Sequence, residues 1–189
     1  MEETPSTSAI QETLASLHRA SHDPGKRSAA AARKSLGLNG KPVDDQTLGE
    51  VLGLSAEVLG AQPATRATLG LAVRTQGERS FKFLFRRKNP LGRRFEAARF
   101  IADYLARGKN DRWLPIADTG TARQKMQRAF AAEFLCPIDA LRAFLNDEFL
   151  TESFEEASEH FGISERAIMS HLANNHLIPR SLVDSSNTL

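Results

Sequence analysis

The sequence predicts an α+β fold that is mostly helical, with a small β-hairpin or sheet packed on a central helix and a helix-turn-helix-like unit near the C-terminal end. Three observations predict this class. Apolar residues recur at helical spacing over most of the chain, alternation with a period of two is confined to residues 65–85, and a helix–glycine–helix pattern occupies residues 151–180. A chain of 189 residues is long enough for one domain with a real core.

A leader and two short helices precede the alternating segment. Residues 1–29 are rich in Ser and Thr and are expected to form a flexible leader, or a linker within a longer protein. The alanine run at 29–32 opens a helical stretch. Asp44 or Asp45 can cap the next helix, which is expected to end at Gly53.

The alternating segment predicts a β-hairpin. Residues 65–73 alternate in the first strand, and Gln76-Gly77 supplies the turn. The outer face of the returning strand carries Lys82 and Arg86. Its inner face is expected to carry three aromatic residues, Phe81, Phe83 and Phe85.

A long amphipathic helix is expected over about 93–106, and its apolar surface is wide enough for a central buried helix. A loop around Trp113 follows, the next helix starts near Thr119 or Thr121, and Pro137 begins another. The inward stripe of the central helix consists of Phe95, Ala98, Ile101, Ala102 and Leu105.

The C-terminal unit contains two helices joined at a glycine. Ser153 and Glu156 have the spacing of a capping box, Gly162 makes the turn, and Ser164 caps the second helix. The residues after this unit, 181–189, are expected to form a tail.

The composition favours a cytoplasmic protein without a membrane partner. No apolar run approaches the roughly 20 residues that a membrane helix needs, and the acidic, polar N-terminus is unlike a secretory signal. The single cysteine, Cys136, excludes a disulfide within the chain and is expected to be a small buried thiol.

Charge is distributed unevenly although the formal net charge is only +2. Residues 79–128 are strongly basic and residues 133–159 are acidic. This asymmetry indicates either a surface for a protein or nucleic-acid partner, or two halves of one fold that attract each other. If the partner is DNA, the expected contacts are Arg86, Arg87, Lys88, Arg166 and Asn174.

Several segments together resemble the ImmA/IrrE metallopeptidases. Residues 93–105 read RRFEAARFIADYL and resemble the active-site helix of that family, RRFxxAHExGHxL. Residues 130–137, FAAEFLCP, are similar to the family segment FAAELLMP, and the C-terminal unit is similar to its F-x-V-S-x-x-A element. The resemblance covers roughly residues 30–179, in the same order along the chain.

The resemblance implies a peptidase-like shape from which the zinc chemistry has been lost. Family members bind zinc through two histidines of this helix and use the intervening glutamate as general base; the corresponding residues here are Arg99, Phe100 and Asp103. Residues 121–128, where a third ligand is expected, contain no carboxylate. No metal, cofactor or catalytic residue is therefore expected, and Arg99 is expected to pair with Asp103 one turn away. The five histidines are expected in surface or helix-capping roles: His18, His22, His160, His171 and His176.

The resemblance further implies a catalytically inactive pseudopeptidase core over residues 30–150 that acts as a regulatory protein-binding module. It implies a stress, mobile-element, toxin–antitoxin or phage-defence system, with a helix-turn-helix repressor or a toxin or antitoxin component as partner. The alternative is a DNA-binding regulator that uses the basic 79–128 surface and the C-terminal unit, and an active zinc peptidase is the least favoured hypothesis. The expected partner-binding residues are Arg93, Arg94, Arg99 and Asp103.

Overall fold

A computed structural model describes most of the chain as helices around a small sheet, which confirms the predicted α+β class. The predicted turn at Gln76-Gly77, the first residues of the predicted hairpin, and His18 and His22 of the leader lie outside the described residues. The described residues are 25–60, 67–74, 81–107, 111–150 and 152–185.

The helices are α1 (Lys26–Ser35), α2 (Asp45–Leu52), α3 (Ala56–Gly60), α4 (Pro90–Arg107), α5 (Ala122–Leu135), α6 (Ile138–Phe144), α7 (Ser153–Phe161), α8 (Glu165–Asn174) and α9 (Arg180–Ser185). The strands are β1 (Gly70–Arg74), β2 (Phe81–Leu84) and β3 (Trp113–Ile116). No helix of the described ranges is long and apolar enough to cross a membrane.

Side-chain caps begin three helices where the sequence predicted them. Asp44 accepts a hydrogen bond from the Thr47 amide at 2.7 Å at the start of α2, and Thr121 and Ser164 cap α5 and α8 in the same way. The predicted capping box of α7 is wrong, because the helix already includes Ser153 and shows no side-chain cap hydrogen bond at its start. A residue that is itself helical cannot serve as the N-cap.

Helical structure extends further than predicted at both ends of the described chain. Helix α1 begins at Lys26, within the expected leader, and Ala29 and Ala32 are completely buried. Alanine side chains are small enough to let α1 pack closely against α5. At the other end, α9 occupies residues that were predicted to be a tail.

The sheet contains a third strand that the sequence analysis placed in a loop. Its order is β2–β1–β3, and both pairings are antiparallel. Strand β3 is only four residues long and includes Pro115, which pairs with Leu71. Proline is tolerated there because β3 is an edge strand, where a missing amide hydrogen costs little.

The inner face of the sheet carries the predicted aromatic residues and packs on α4. Phe83 and Phe85 lie with their ring centroids 5.3 and 5.8 Å from that of Phe100. Ala72 pairs with Phe83 across the strands and is completely buried. Small residues in β1 therefore make room for the bulky rings beside them.

Helix α4 is the central helix of the fold, as predicted. It packs against α5, α2, α3 and β3, and its apolar residues Ala97, Ala98 and Phe100 are completely buried. Arg86 corrects the prediction for the hairpin: it does not lie on the outer face, because its side chain turns inward to the carboxylate of Glu96 on α4.

Candidate functional site

Five charged side chains of the central helix are buried, although burial of a charge is costly unless it is paired or hydrogen-bonded. Each is less than a tenth exposed, so each needs partners inside the protein. The buried charged residues of α4 are Arg93, Arg94, Glu96, Arg99 and Asp103.

Arg93 holds the short helix α3 against α4. Its Nε donates to the carbonyl oxygen of Leu59 at 2.6 Å, and its Nη2 donates to that of Gly60 at 2.8 Å. These are terminal carbonyl groups of α3, which have no partner within the helix. The guanidinium group of Arg93, on α4, therefore caps the C-terminal end of α3.

Arg94 joins α4 to two further parts of the fold. Its Nε donates to the carbonyl oxygen of Gly162, in the turn between α7 and α8, at 2.8 Å. Its terminal nitrogens contact the carbonyl oxygen of Val43 and the carboxylate of Asp45 at the start of α2. Each of its three nitrogens thus contacts an acceptor within the fold.

Arg99 reaches across to α5 and to the segment after β3. Its Nη2 donates to the carbonyl oxygen of Ala117 at 2.7 Å and also contacts the side-chain oxygen of Gln124. Gln127 lies one turn further along α5, with its oxygen 3.4 Å from the same nitrogen. Burial lowers the pKa of Arg99 to about 10, with the charges of Arg128 and Arg86 adding to the effect.

Asp103 pairs with Arg123 of α5, so the predicted Arg99–Asp103 pair is wrong. The Nε of Arg123 donates to one oxygen of the completely buried carboxylate at 2.7 Å, and its Nη2 contacts the other oxygen. This hydrogen bond raises the pKa of Arg123. A two-point contact between helices is stronger than the side-by-side contact that one turn of a single helix permits.

The α4–α5 seam, defined by Arg99, Asp103, Arg123, Gln124 and Gln127, contains the positions that the resemblance equates with zinc ligands. Within it, each polar group of α4 faces a polar group of α5 rather than solvent. Phe100, at the position of the general base, points to the other side and packs under the sheet. No group of three His, Cys, Asp or Glu side chains that could hold a metal ion occurs among the described residues.

This burial corrects the prediction of which residues bind a partner. The expected partner-binding residues lie inside the fold and contact its own backbone and side chains: Arg93, Arg94, Arg99 and Asp103. The reason is that α4 is covered by other elements around most of its circumference. Each of the four residues is engaged by neighbouring elements of the fold.

Asp118 connects the outer end of this polar region to solvent. Its carboxylate accepts hydrogen bonds from Nη1 of Arg86 at 2.8 Å and from Nη2 of Arg87 at 2.9 Å. Nη1 of Arg99 lies 3.9 Å away. The hydrogen bond from Arg86, together with the nearby positive charges, lowers the pKa of Asp118. Sequence reasoning missed Asp118 because the strand that places it, β3, was not predicted.

The expected nucleic-acid contacts are divided between two separate elements. Arg86 is partly buried and paired with Glu96, and Arg87 is paired with Asp118, which leaves Lys88 exposed beside them. Arg166 and Asn174 are exposed on α8. The adjacent helix α7 exposes three glutamates that oppose phosphate binding: Glu155, Glu156 and Glu159.

Within the described residues, no ion pair joins the basic stretch of the chain to its acidic stretch. Among the described side chains, the arginines of residues 79–128 pair with Asp45, Glu96, Asp103 and Asp118, none of which belongs to the acidic stretch. One of the two explanations offered for the asymmetry, two attracting halves, is therefore not realised in direct contacts.

A second buried polar group lies where the C-terminal helices meet the core. His171 of α8 is buried, which corrects its expected surface or capping role, and its Nε2 lies 3.5 Å from Oε2 of Glu133 on α5. Neither atom has a hydrogen-bond partner among the described residues. Cys136 is also buried, as predicted, and burial raises the pKa of its thiol.

The outer face of the sheet carries exposed apolar side chains beside the exposed Lys82. Trp113 is 57% exposed and Leu84 is 44% exposed. Both pair with β1, Trp113 with Val73 and Leu84 with Leu71, so that they share one surface. Exposed apolar patches of this kind are typical of interaction surfaces. The sequence analysis missed it because Trp113 was placed in a loop.

The chain matches no protein-family model, no curated protein and no solved structure.

Proposed function

We propose that the chain is a catalytically inactive, ImmA/IrrE-like module that binds a regulatory protein partner. The observation that carries the proposal is the α4–α5 seam. Arg99 and Asp103, at the positions of the zinc-binding histidines in the resemblance, are engaged by Gln124 and Arg123. A catalytic zinc needs three protein ligands and an open position for water, and the seam offers neither.

Because the residues of the α4–α5 seam are largely buried, we place the proposed binding surface on the outside of the fold. Trp113 and Leu84 on the outer face of the sheet are the exposed apolar side chains best suited to contact a protein, because tryptophan is enriched among residues that dominate binding energy. The partner class inferred from the resemblance is a helix-turn-helix repressor or a toxin or antitoxin component.

Two measurements test this function. Elemental analysis of the purified chain is expected to find no stoichiometric zinc, and stoichiometric zinc would overturn the inactive assignment. Affinity capture from the source cell is expected to recover one protein with the unaltered chain and to lose it with Trp113→Ala. Leu150→Ala is the matched control, because Leu150 is 55% exposed but belongs to the segment between α6 and α7 and not to the sheet. Capture unaffected by Trp113→Ala would rule out the sheet face.

DNA binding is the second candidate, favoured by the exposure of Arg166 and Asn174 on α8. A mobility shift with genomic DNA fragments would support it only if Arg166→Gln abolishes the shift. Lys88→Gln tests the separate basic position beside Arg87, since it removes the same charge from a different element. The glutamates of α7 favour the protein-binding proposal over this one.

A further inference from the structure

Three guanidinium groups converge on the carboxylate of Asp118. We call Arg86, Arg87 and Arg99 the arginine cradle. Arg86 binds both carboxylate oxygens in a fork, at 2.8 and 2.5 Å. Arg87 adds a third hydrogen bond at 2.9 Å, and Nη1 of Arg99 lies 3.9 Å from the same carboxylate. This is the geometry with which arginine recognises a carboxylate.

The cradle remains positively charged with Asp118 in place. Among the described residues, two carboxylates, Glu96 and Asp118, face its three guanidinium groups. The side chain of Arg99 is only 3% exposed, and its Nε has no hydrogen-bond partner among the described residues. Arg128 adds a further positive charge near Arg99. An anion is therefore favoured here beyond the one that the chain supplies.

Two of the three arginines, Arg86 and Arg99, are held in position independently of Asp118. Glu96 fixes Arg86 through a contact of 2.7 Å, and the carbonyl oxygen of Ala117 fixes Arg99. Asp118, by contrast, is 57% exposed and lies in the irregular segment between β3 and α5. Its carboxylate can leave the cradle while the contacts that orient Arg86 and Arg99 remain.

We propose that the arginine cradle is a binding site for a carboxylate from an acidic segment of the protein partner, and that Asp118 occupies it as an internal substitute when the partner is absent. This inference rests on the proposed protein-binding function and specifies the chemistry of the partner. A carboxylate is favoured over a phosphate because the present occupant is a carboxylate bound by the fork of Arg86.

The test is a titration of a fluorescein-labelled hexaglutamate peptide with the full chain, followed by fluorescence anisotropy. Asp118→Asn is expected to tighten binding about fivefold, because it removes a tethered competitor that is partly exposed. Asp147→Asn is the matched control: it removes the same charge from another exposed Asp–Arg pair, with Arg142, and is expected to leave the affinity unchanged. Adding Arg87→Gln to Asp118→Asn is expected to abolish the gain, since Arg87 is half-exposed and can be replaced without disturbing the core.

Several results would overturn the inference. An unchanged affinity in Asp118→Asn, or an equal gain in Asp147→Asn, would mean that Asp118 is a structural ion pair or that only net charge matters. Glutarate is expected to displace the peptide at a lower concentration than inorganic phosphate at the same ionic strength, and the reverse order would overturn the assignment to a carboxylate. Because the titration needs no cellular partner, its failure is distinct from a failure of the capture experiment with Trp113→Ala.

Discussion

The Nε of Arg94 donates to the carbonyl oxygen of Gly162 at 2.8 Å, and this hydrogen bond joins the central helix to the turn between α7 and α8. The same guanidinium group contacts Val43 and Asp45 ahead of and within α2. One buried side chain therefore connects the C-terminal helices, the N-terminal helices and α4. The turn at Gly162 is packed so closely against it that the two residues restrict each other.

Replacing Gly162 by alanine is expected to destabilise the fold strongly. Gly162 has a φ of +62°, and a Cβ atom there would lie 2.8 Å from Nε and Nη2 of Arg94. We expect Gly162→Ala to lower the free energy of unfolding by about 2–4 kcal/mol, from backbone strain and overpacking together. Urea denaturation followed by circular dichroism measures the change.

Gly53 supplies the control for this substitution. It caps α2 with a φ of +70°, but a Cβ atom there would meet nothing within 4 Å. Gly53→Ala is therefore expected to cost only the backbone strain, about 1 kcal/mol. Equal losses in the two variants would show that the contact between Arg94 and the turn has no energetic consequence.

Arg123→Met is expected to leave the carboxylate of Asp103 buried without its ionic partner. The expected loss in the free energy of unfolding is about 3 kcal/mol, because an unpaired buried charge is strongly unfavourable. The double variant Asp103→Leu/Arg123→Met is expected to recover most of it, since it removes both charges. Arg142→Met breaks the exposed pair with Asp147 and is expected to leave the free energy of unfolding nearly unchanged, because water screens that pair.

A double-mutant cycle over these variants distinguishes the structural role from the alternative. If Asp103→Leu and Arg123→Met each cost little and their effects add, the two side chains are not coupled. The α4–α5 seam would then not explain the burial of polar groups on α4. Strong non-additivity is the result that the two-point contact requires.

Local signals in the sequence predicted the starts of α2, α5 and α8, because a side-chain cap depends on residues three positions apart. Asp44, for example, needs only the nearby amide of Thr47. Strand β3 was missed for the opposite reason: its four residues include Pro115, and its partner β1 lies some forty positions earlier in the chain. No pattern within β3 itself indicates that pairing.

The same distinction explains the errors at the candidate site. The sequence predicted a pair between Arg99 and Asp103 from their spacing on one helix, but α5 brings Gln124 and Arg123 closer to them. Burial of α4 was predicted from its apolar residues. The partners of its charged residues depend on which elements cover them. The side chains that α5 supplies, Gln124 and Arg123, lie 25 and 20 positions later in the chain than the residues they contact, so no spacing rule within α4 predicts these contacts.

The ion pair between Asp118 and Arg86 is expected to make a small, pH-dependent contribution to stability. Arg86, through its hydrogen bond, and the charges around it lower the pKa of Asp118 from its ordinary value of 3.8. A carboxyl with a lowered pKa in the folded state stabilises the fold above its unfolded pKa, and this stabilisation is lost as the pH falls through the folded pKa. Because Asp118 is exposed, Asp118→Asn is expected to cost less than about 1 kcal/mol at neutral pH.

Urea denaturation of the unaltered protein and of Asp118→Asn at about pH 7, 5 and 2 measures the contribution of Asp118 to stability. The difference in the free energy of unfolding is expected to be the same at the two higher values, where Asp118 is ionised in both states, and to shrink at the lowest. A difference that persists undiminished in acid would show that the carboxylate charge is not responsible. Asp147→Asn again serves as the control for an exposed pair.

Cys136 is expected to resist thiol reagents until the protein unfolds. Only the thiolate reacts, and burial both raises the pKa of Cys136 and blocks access to its sulfur. Native protein mixed with Ellman's reagent is therefore expected to react no faster than it opens, and to react at once in guanidinium chloride. Ser35→Cys places a second thiol at an exposed position of α1, so that one thiol per molecule should react rapidly and the other slowly. Rapid reaction of both thiols in the native state would contradict the burial of Cys136.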